Sequence, residues 1–176
     1  MRHFRQAIGA GLCGLACLLV ALPAFADKAA RRNPVAYCKE VGTIDVPDGR
    51  YQGPAVPEWM VAKAYPPEAI KAQKAAGMDP ANTIVWRCAG GAVLMCVQGN
   101  SAICGKADQS KVPTKAMRDF CAETPNAEVI PLSVIGHENP MIYEWSCKGK
   151  EPTLGRQIFK VDAEGYPAEL WEKVFP

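Results

Sequence analysis

The sequence predicts an α+β domain with short helices in the first half, an antiparallel sheet or meander in the second, and three disulfides as staples. Three observations carry this. Helix-starting and helix-stopping residues cluster before Thr83, the apolar period changes at Thr83 from a helical to an alternating one, and an even set of cysteines remains once the first segment is set aside. The chain has 176 residues, 49% of them hydrophobic and 22% charged, which suits one globular domain and none of the disordered or fibrous classes. Lys and Arg number 20 against 18 Asp and Glu. Arg2 and Arg5 lie in the leader, so the remainder is balanced and nothing steers it toward nucleic acid.

Residues 1–26 read as a secretory signal peptide. Basic Met1–Gln6 is followed by apolar Ala7–Leu22 and by Ala24-Phe25-Ala26, a small-x-small cleavage site. The run contains Gly9, Gly11 and Gly14 and is too short to span a membrane, so the processed chain is not expected to be membrane-spanning. The expected location is the periplasm, or secretion. Residues 27–33 form a flexible leader, and residues 34–176 a single disulfide-stapled domain.

Asn33 caps a helix that begins at Pro34, carries Cys38 and stops at Gly42. Asp45–Val56 is dense in Pro and Gly and reads as a turn-rich excursion. Pro57–Ala64 and Pro67–Ala76 are helical, the second closing at Gly77. From Thr83, alternation through Ile84, Trp86 and Cys88 marks a strand ended by Ala89-Gly90-Gly91, and Ala92–Val97 is apolar enough for a central strand. Val112–Glu123 is a helix with Ala116, Met117, Phe120 and Cys121 on one face. The rest reads as a meander: Val129–Ile135, placed at an edge by Pro131, then Met141–Cys147, Gln157–Asp162 and Glu169–Phe175. Leu170, Trp171, Val174 and Phe175 also fit a helix, and the strand reading is preferred.

Cys38, Cys88, Cys96, Cys104, Cys121 and Cys147 remain after processing. In an exported chain they read as three disulfides. The absence of C-x-x-C spacing and of histidine among them argues against zinc, thioredoxin-type redox chemistry and covalent haem, so no metal and no cofactor is expected. The expected pairing is Cys96 with Cys104 across a hairpin, Cys38 with Cys121 between helices, and Cys88 with Cys147. The last pair rests on a repeated shape, Trp86-x-Cys88-x-Gly90 and Trp145-x-Cys147-x-Gly149. On a strand, this shape sets each indole beside its cysteine on one face.

No catalytic residue is assigned. His137 stands alone in a turn, and no nucleophile elbow, zinc-protease, phosphate-loop or dinucleotide motif is present. Glu144, Asp162 and Glu164 are the carboxylates available for acid–base work. Asp162-Ala163-Glu164-Gly165 begins like a calcium loop, but Lys173 occupies the position of the closing glutamate, and a hairpin turn explains it better. Tyr51, Trp59 and Tyr65, in the loop-rich first half, are the candidate binding aromatics.

The leader, the six cysteines and the two W-x-C-x-G segments resemble the small uncharacterised exported proteins of proteobacteria, which imply no activity. The stretch Tyr143–Cys147 and the turn Asp162–Gly165 are more distantly similar to periplasmic lysozyme inhibitors. No functional residue is carried over from either. The sequence reading is therefore an exported, non-catalytic protein that recognises another protein or an envelope component. The alternatives are a small periplasmic hydrolase using paired carboxylates and an accessory subunit of an envelope complex.

Overall fold

The computed structural model describes residues 30–98, 103–136 and 139–176. Residues 1–26, read from the sequence as a signal peptide, and His137 lie outside the described residues. The class is α+β, with helices leading, antiparallel strands following and three disulfides.

Helix α1 spans Pro34–Val41. The Asn33 side chain accepts from the Val35 and Ala36 amides, Pro34 occupies the first turn, and Gly42, at φ 77°, ends the helix. Helices α2 (Glu58–Ala64) and α3 (Pro67–Ala75) each follow an extended proline, Pro57 and Pro66. Residues 30–33, the end of the segment read as a flexible leader, are held by bonds from the Asn33 amide to the Ala30 carbonyl and from the Gln52 amide to the Arg31 carbonyl.

Strands β1 (Ile84–Ala89) and β2 (Ala92–Val97) form a hairpin around Gly90 and Gly91, both at positive φ. β2 is the central strand, as its apolar run predicts, because β5 (Glu172–Val174) pairs with its other side. Ile84, Trp86 and Cys88 face the first core, with Tyr37 and Cys38 of α1 and Met60 of α2. On the opposite face, Val85 and Leu94 pack with Tyr166, Trp171 and the Cys96–Cys104 bridge.

Helix α4 (Lys115–Glu123) starts at Thr114, whose hydroxyl accepts from the Met117 amide, and buries Met117 and Cys121. Strands β3 (Tyr143–Lys148) and β4 (Glu151–Gln157) form a separate two-stranded sheet over that helix. A second core of Met117, Cys121, Ile130, Trp145 and Cys147 lies between them.

Two of the expected disulfides are corrected. Cys96–Cys104 forms as expected, but Cys38 pairs with Cys88 and Cys121 with Cys147. The two Trp-x-Cys strands lie in different sheets, so neither cysteine reaches the other, and each bonds to the helix packed on its own hairpin. The bridges thus define two units of one design. Each has an aromatic–Cys pair on a helix, Tyr37-Cys38 or Phe120-Cys121. Six residues after the helix cysteine, the carbonyl of Ile44 or Ala127 accepts from the hairpin cysteine amide, at 3.0 and 2.8 Å. Each hairpin opens with Trp-x-Cys-x-Gly.

Three strand expectations also change. Val129–Ile135 is not a strand throughout. Its first residues run beside β3, and Pro131 then starts the single-turn helix α5 (Leu132–Ile135), because its fixed φ suits a helix start and its missing N–H is not needed there. Of the expected strand Gln157–Asp162, the part after Gln157 is irregular apart from the isolated Val161–Pro167 bridge, and the strand lies earlier, in Glu151–Gln157, where pairing with β3 overrides Pro152 and Gly155. The final segment begins as a 3-10 turn at Ala168–Leu170 before β5.

Candidate functional site

The main concavity is an open cleft of about 600 Å³ beside the second hairpin. Its walls follow from the local chain path. The 127–130 segment bonds to β3 through the Ile130 amide and the Trp145 carbonyl at 2.8 Å. Pro131 then turns the chain away, so that Leu132 and Ile135 face the same space as Met141, Ile158 and Phe159. The register of β3 and β4 shifts between Tyr143 and Trp145. There Gly155 lies so close to Glu144 that a Cβ would sit 3.0 Å from the Glu144 Cβ and 3.1 Å from its carbonyl oxygen, and any larger residue would force Glu144 to give by a few tenths of an ångström.

Several of these apolar side chains are left in water. Val129 is 69% exposed, Leu132 57% and Ile158 42%, and all three line the cleft. Its polar lining includes Glu128, Glu144, Asn139 and Ser146. Arg156 donates to Glu144 through Nε at 3.0 Å and Nη2 at 2.9 Å, and this keeps the Glu144 carboxyl below the usual carboxylate range. Glu144 is therefore an ionised, arginine-bound carboxylate at neutral pH, unsuited to donating a proton.

The other two carboxylates named from the sequence serve a different structure. Arg87, on β1, is completely buried. Asp162 Oδ2 accepts from its Nη2, and Glu164 Oε2 lies 3.7 Å from Nη1. Asp162 Oδ1 meanwhile accepts from the Glu164 amide at 3.1 Å and the Tyr166 amide at 2.8 Å, and this closes the turn. The Asp-Ala-Glu-Gly turn thus holds a cation, and the cation is the protein's own guanidinium. Among the described residues no cluster of three His, Cys, Asp or Glu is arranged to hold a metal.

A second concavity, of about 560 Å³, lies along the outer edge of β1 at Ile84–Trp86, between residues 45–48 and the Tyr166 and Trp171 side chains. Its two acidic residues are matched: Asp45 with Lys106 at 2.7 Å and Asp48 with Arg50 at 2.6 Å. Lys106 lowers the Asp45 pKa, chiefly by hydrogen bonding, and Arg50 brings Asp48 to about 2. Of the aromatics chosen from the sequence, only Tyr51 lines this space, in edge contact with Trp86 at 5.0 Å between ring centroids. Burial raises its pKa. Trp59 and Tyr65 are half-buried against the first core, and the Tyr65 hydroxyl bonds to Thr83 Oγ1 at 2.6 Å. The structure does not gather the three into one surface.

The larger cleft was missed from the sequence. Its signal lies in the apolar residues around Pro131 and Pro140, which by sequence pattern read as strands and turns of a sheet.

Compared with protein-family models, curated proteins and solved structures, the chain matches none. Three disulfides fit an oxidising compartment, and among the described residues no helix is long and apolar enough to cross a membrane.

Proposed function

We propose that this chain is an exported, periplasmic binding protein with no catalytic role, and that the cleft beside the second hairpin receives apolar side chains of a protein partner. The observation that carries this is the coincidence of the cleft with exposed Val129, Leu132 and Ile158. Contiguous apolar surface of this kind costs solubility and marks interaction sites in folded proteins. The fate of the carboxylates supports binding over hydrolysis, since Glu144 is bound to Arg156, and Asp162 to Arg87. Export is supported by the Met1–Ala26 leader and the disulfide framework.

The test is a photo-crosslinking amino acid placed at Leu132 in the protein expressed in its own envelope. A discrete adduct to one protein, lost when Ile158→Glu is added to the same chain, is the expected result. The same adduct from an exposed position remote from the cleft, such as Lys74, would contradict the reading.

A further inference from the structure

In the second unit, both positions on the outer edge of β3 are filled by the chain itself. The Cys147 amide donates to Ala127 at 2.8 Å, and the Trp145 carbonyl accepts from Ile130, also at 2.8 Å. In the first unit only half of this is present. Cys88 exchanges both bonds with Ile44, at 3.0 Å each, and the chain then leaves the edge. Counting from the cysteine-bonded residue, the place of Ile130 falls to Pro47, which has no N–H to give.

The consequence lies at Trp86. Ladder bonds of an antiparallel strand alternate sides, and the Ile44–Cys88 bridge shows that Cys88 points its N–H and C=O away from β2. Trp86, two residues earlier, points the same way, and its main-chain groups have no partner among the described residues. The gap opens onto the cavity of about 560 Å³.

Other free edges are blunted. β4 carries Pro152, and β5 is three residues long with Glu172 and Lys173. The Ile84-Val85-Trp86 stretch has neither proline nor charge. The acidic residues beside it are already paired, so the space selects for no charge.

We propose that the edge of β1 at Trp86 is a second binding site, distinct from the cleft, which takes an extended apolar peptide of another protein as an added antiparallel strand. The peptide supplies to Trp86 what Ile130 supplies to Trp145: a donated N–H and an aliphatic side chain packed into the cavity.

A peptide copying residues 129–133, acetyl-Val-Ile-Pro-Leu-Ser-amide, which omits the residues whose place at Cys88 is already filled by Ile44, is titrated into the ¹⁵N-labelled, disulfide-intact chain. Saturable shifts centred on the Trp86 amide are expected. N-methylation of the peptide isoleucine should weaken binding about tenfold, the value of one net hydrogen bond, and N-methylation of the valine should weaken it far less. No saturable shift at Trp86, equal binding by both methylated peptides, or shifts confined to Tyr143 and Ile158 would each overturn the proposal. The last result would still leave the cleft intact as a site.

Discussion

The guanidinium of Arg87 lies over the ring of Tyr166, its Cζ 4.1 Å from the ring centroid, with Trp171 at 4.8 Å on another side. Arginine stacks well on aromatic faces, and Asp162 supplies the charge that this burial requires. Nε and Nη1 find no acceptor among the described residues, so the cation depends on Asp162 for its main hydrogen-bonded charge partner. Removing the partner of a buried charge costs about 3 to 5 kcal/mol, whereas replacing Arg87 itself leaves an Asp162 carboxylate that is part-exposed and still accepts from the Glu164 and Tyr166 amides. Urea unfolding at pH 7 should therefore rank Asp162→Ala as most damaging, since it also loses the turn bonds to Glu164 and Tyr166. Asp162→Asn comes next and Arg87→Met least. An Arg87→Met variant less stable than Asp162→Ala would refute this assignment of roles.

The bridges should differ in value with the chain they enclose. Cys38–Cys88 spans 50 residues, Cys121–Cys147 26 and Cys96–Cys104 8. Restriction of the unfolded chain gives about 4, 3.5 and 2.5 kcal/mol in that order. Paired Cys→Ala variants, compared by urea midpoint, should follow the same sequence. Equal losses would show that the staples act through the native state instead.

Acid should weaken the protein through its arginine- and lysine-bound carboxylates. The Asp48 carboxyl sits at about 2, against an ordinary 3.8, because Arg50 hydrogen-bonds its ionised form. The lowered value means that its contribution is complete above 3.8 and disappears as pH falls from there toward 2. Asp45 and Glu144 are lowered by Lys106 and Arg156, with the same sign. Carboxyl ¹³C titration should show Asp48 returning toward the ordinary range in Arg50→Ala, with a shallower acid limb in thermal melts. An unchanged Asp48 midpoint would rule out the pair as the cause.

Gly53 is tightly enclosed. A Cβ there would lie 2.7 Å from the Arg32 carbonyl oxygen and closer still to the Tyr51 hydroxyl, a group that bonds to the Pro54 carbonyl. Gly53→Ala should destabilise by about 1 to 3 kcal/mol, as overpacking does. It should also change near-ultraviolet circular dichroism, because Tyr51 packs against Trp86. A neutral substitution would mean that this loop yields freely.

Much of the first half was legible because its signals are local. Asn33, Pro34 and Gly42 bound α1 by their own backbone preferences, and the Gly90-Gly91 turn announces the first hairpin. The paired Cys96 and Cys104 lie close enough in sequence to be matched directly. The errors arose where long-range partners decide. Pro131 suits an edge strand by its sequence, yet after the Ile130–Trp145 bond to β3 it begins a helix packed on α4. Glu151–Gln157 has weak strand composition and becomes a strand through β3. The W-x-C-x-G repeat was visible, but that each copy bonds to its own helix depends on folding, as does the cleft, whose exposed apolar residues become contiguous only when α5 and β3 meet.

The cleft beside the second hairpin can be tested without knowing its partner. Nile red is neutral and apolar, and so is indifferent to Glu128 and Glu144. Titrated into the native, disulfide-intact chain, it should brighten saturably at one site, and Leu132→Glu or Ile158→Glu should abolish the signal with far-ultraviolet circular dichroism unchanged. Fluorescence that appears only after denaturant is added, or that persists in both variants, would contradict an apolar binding cleft at this position.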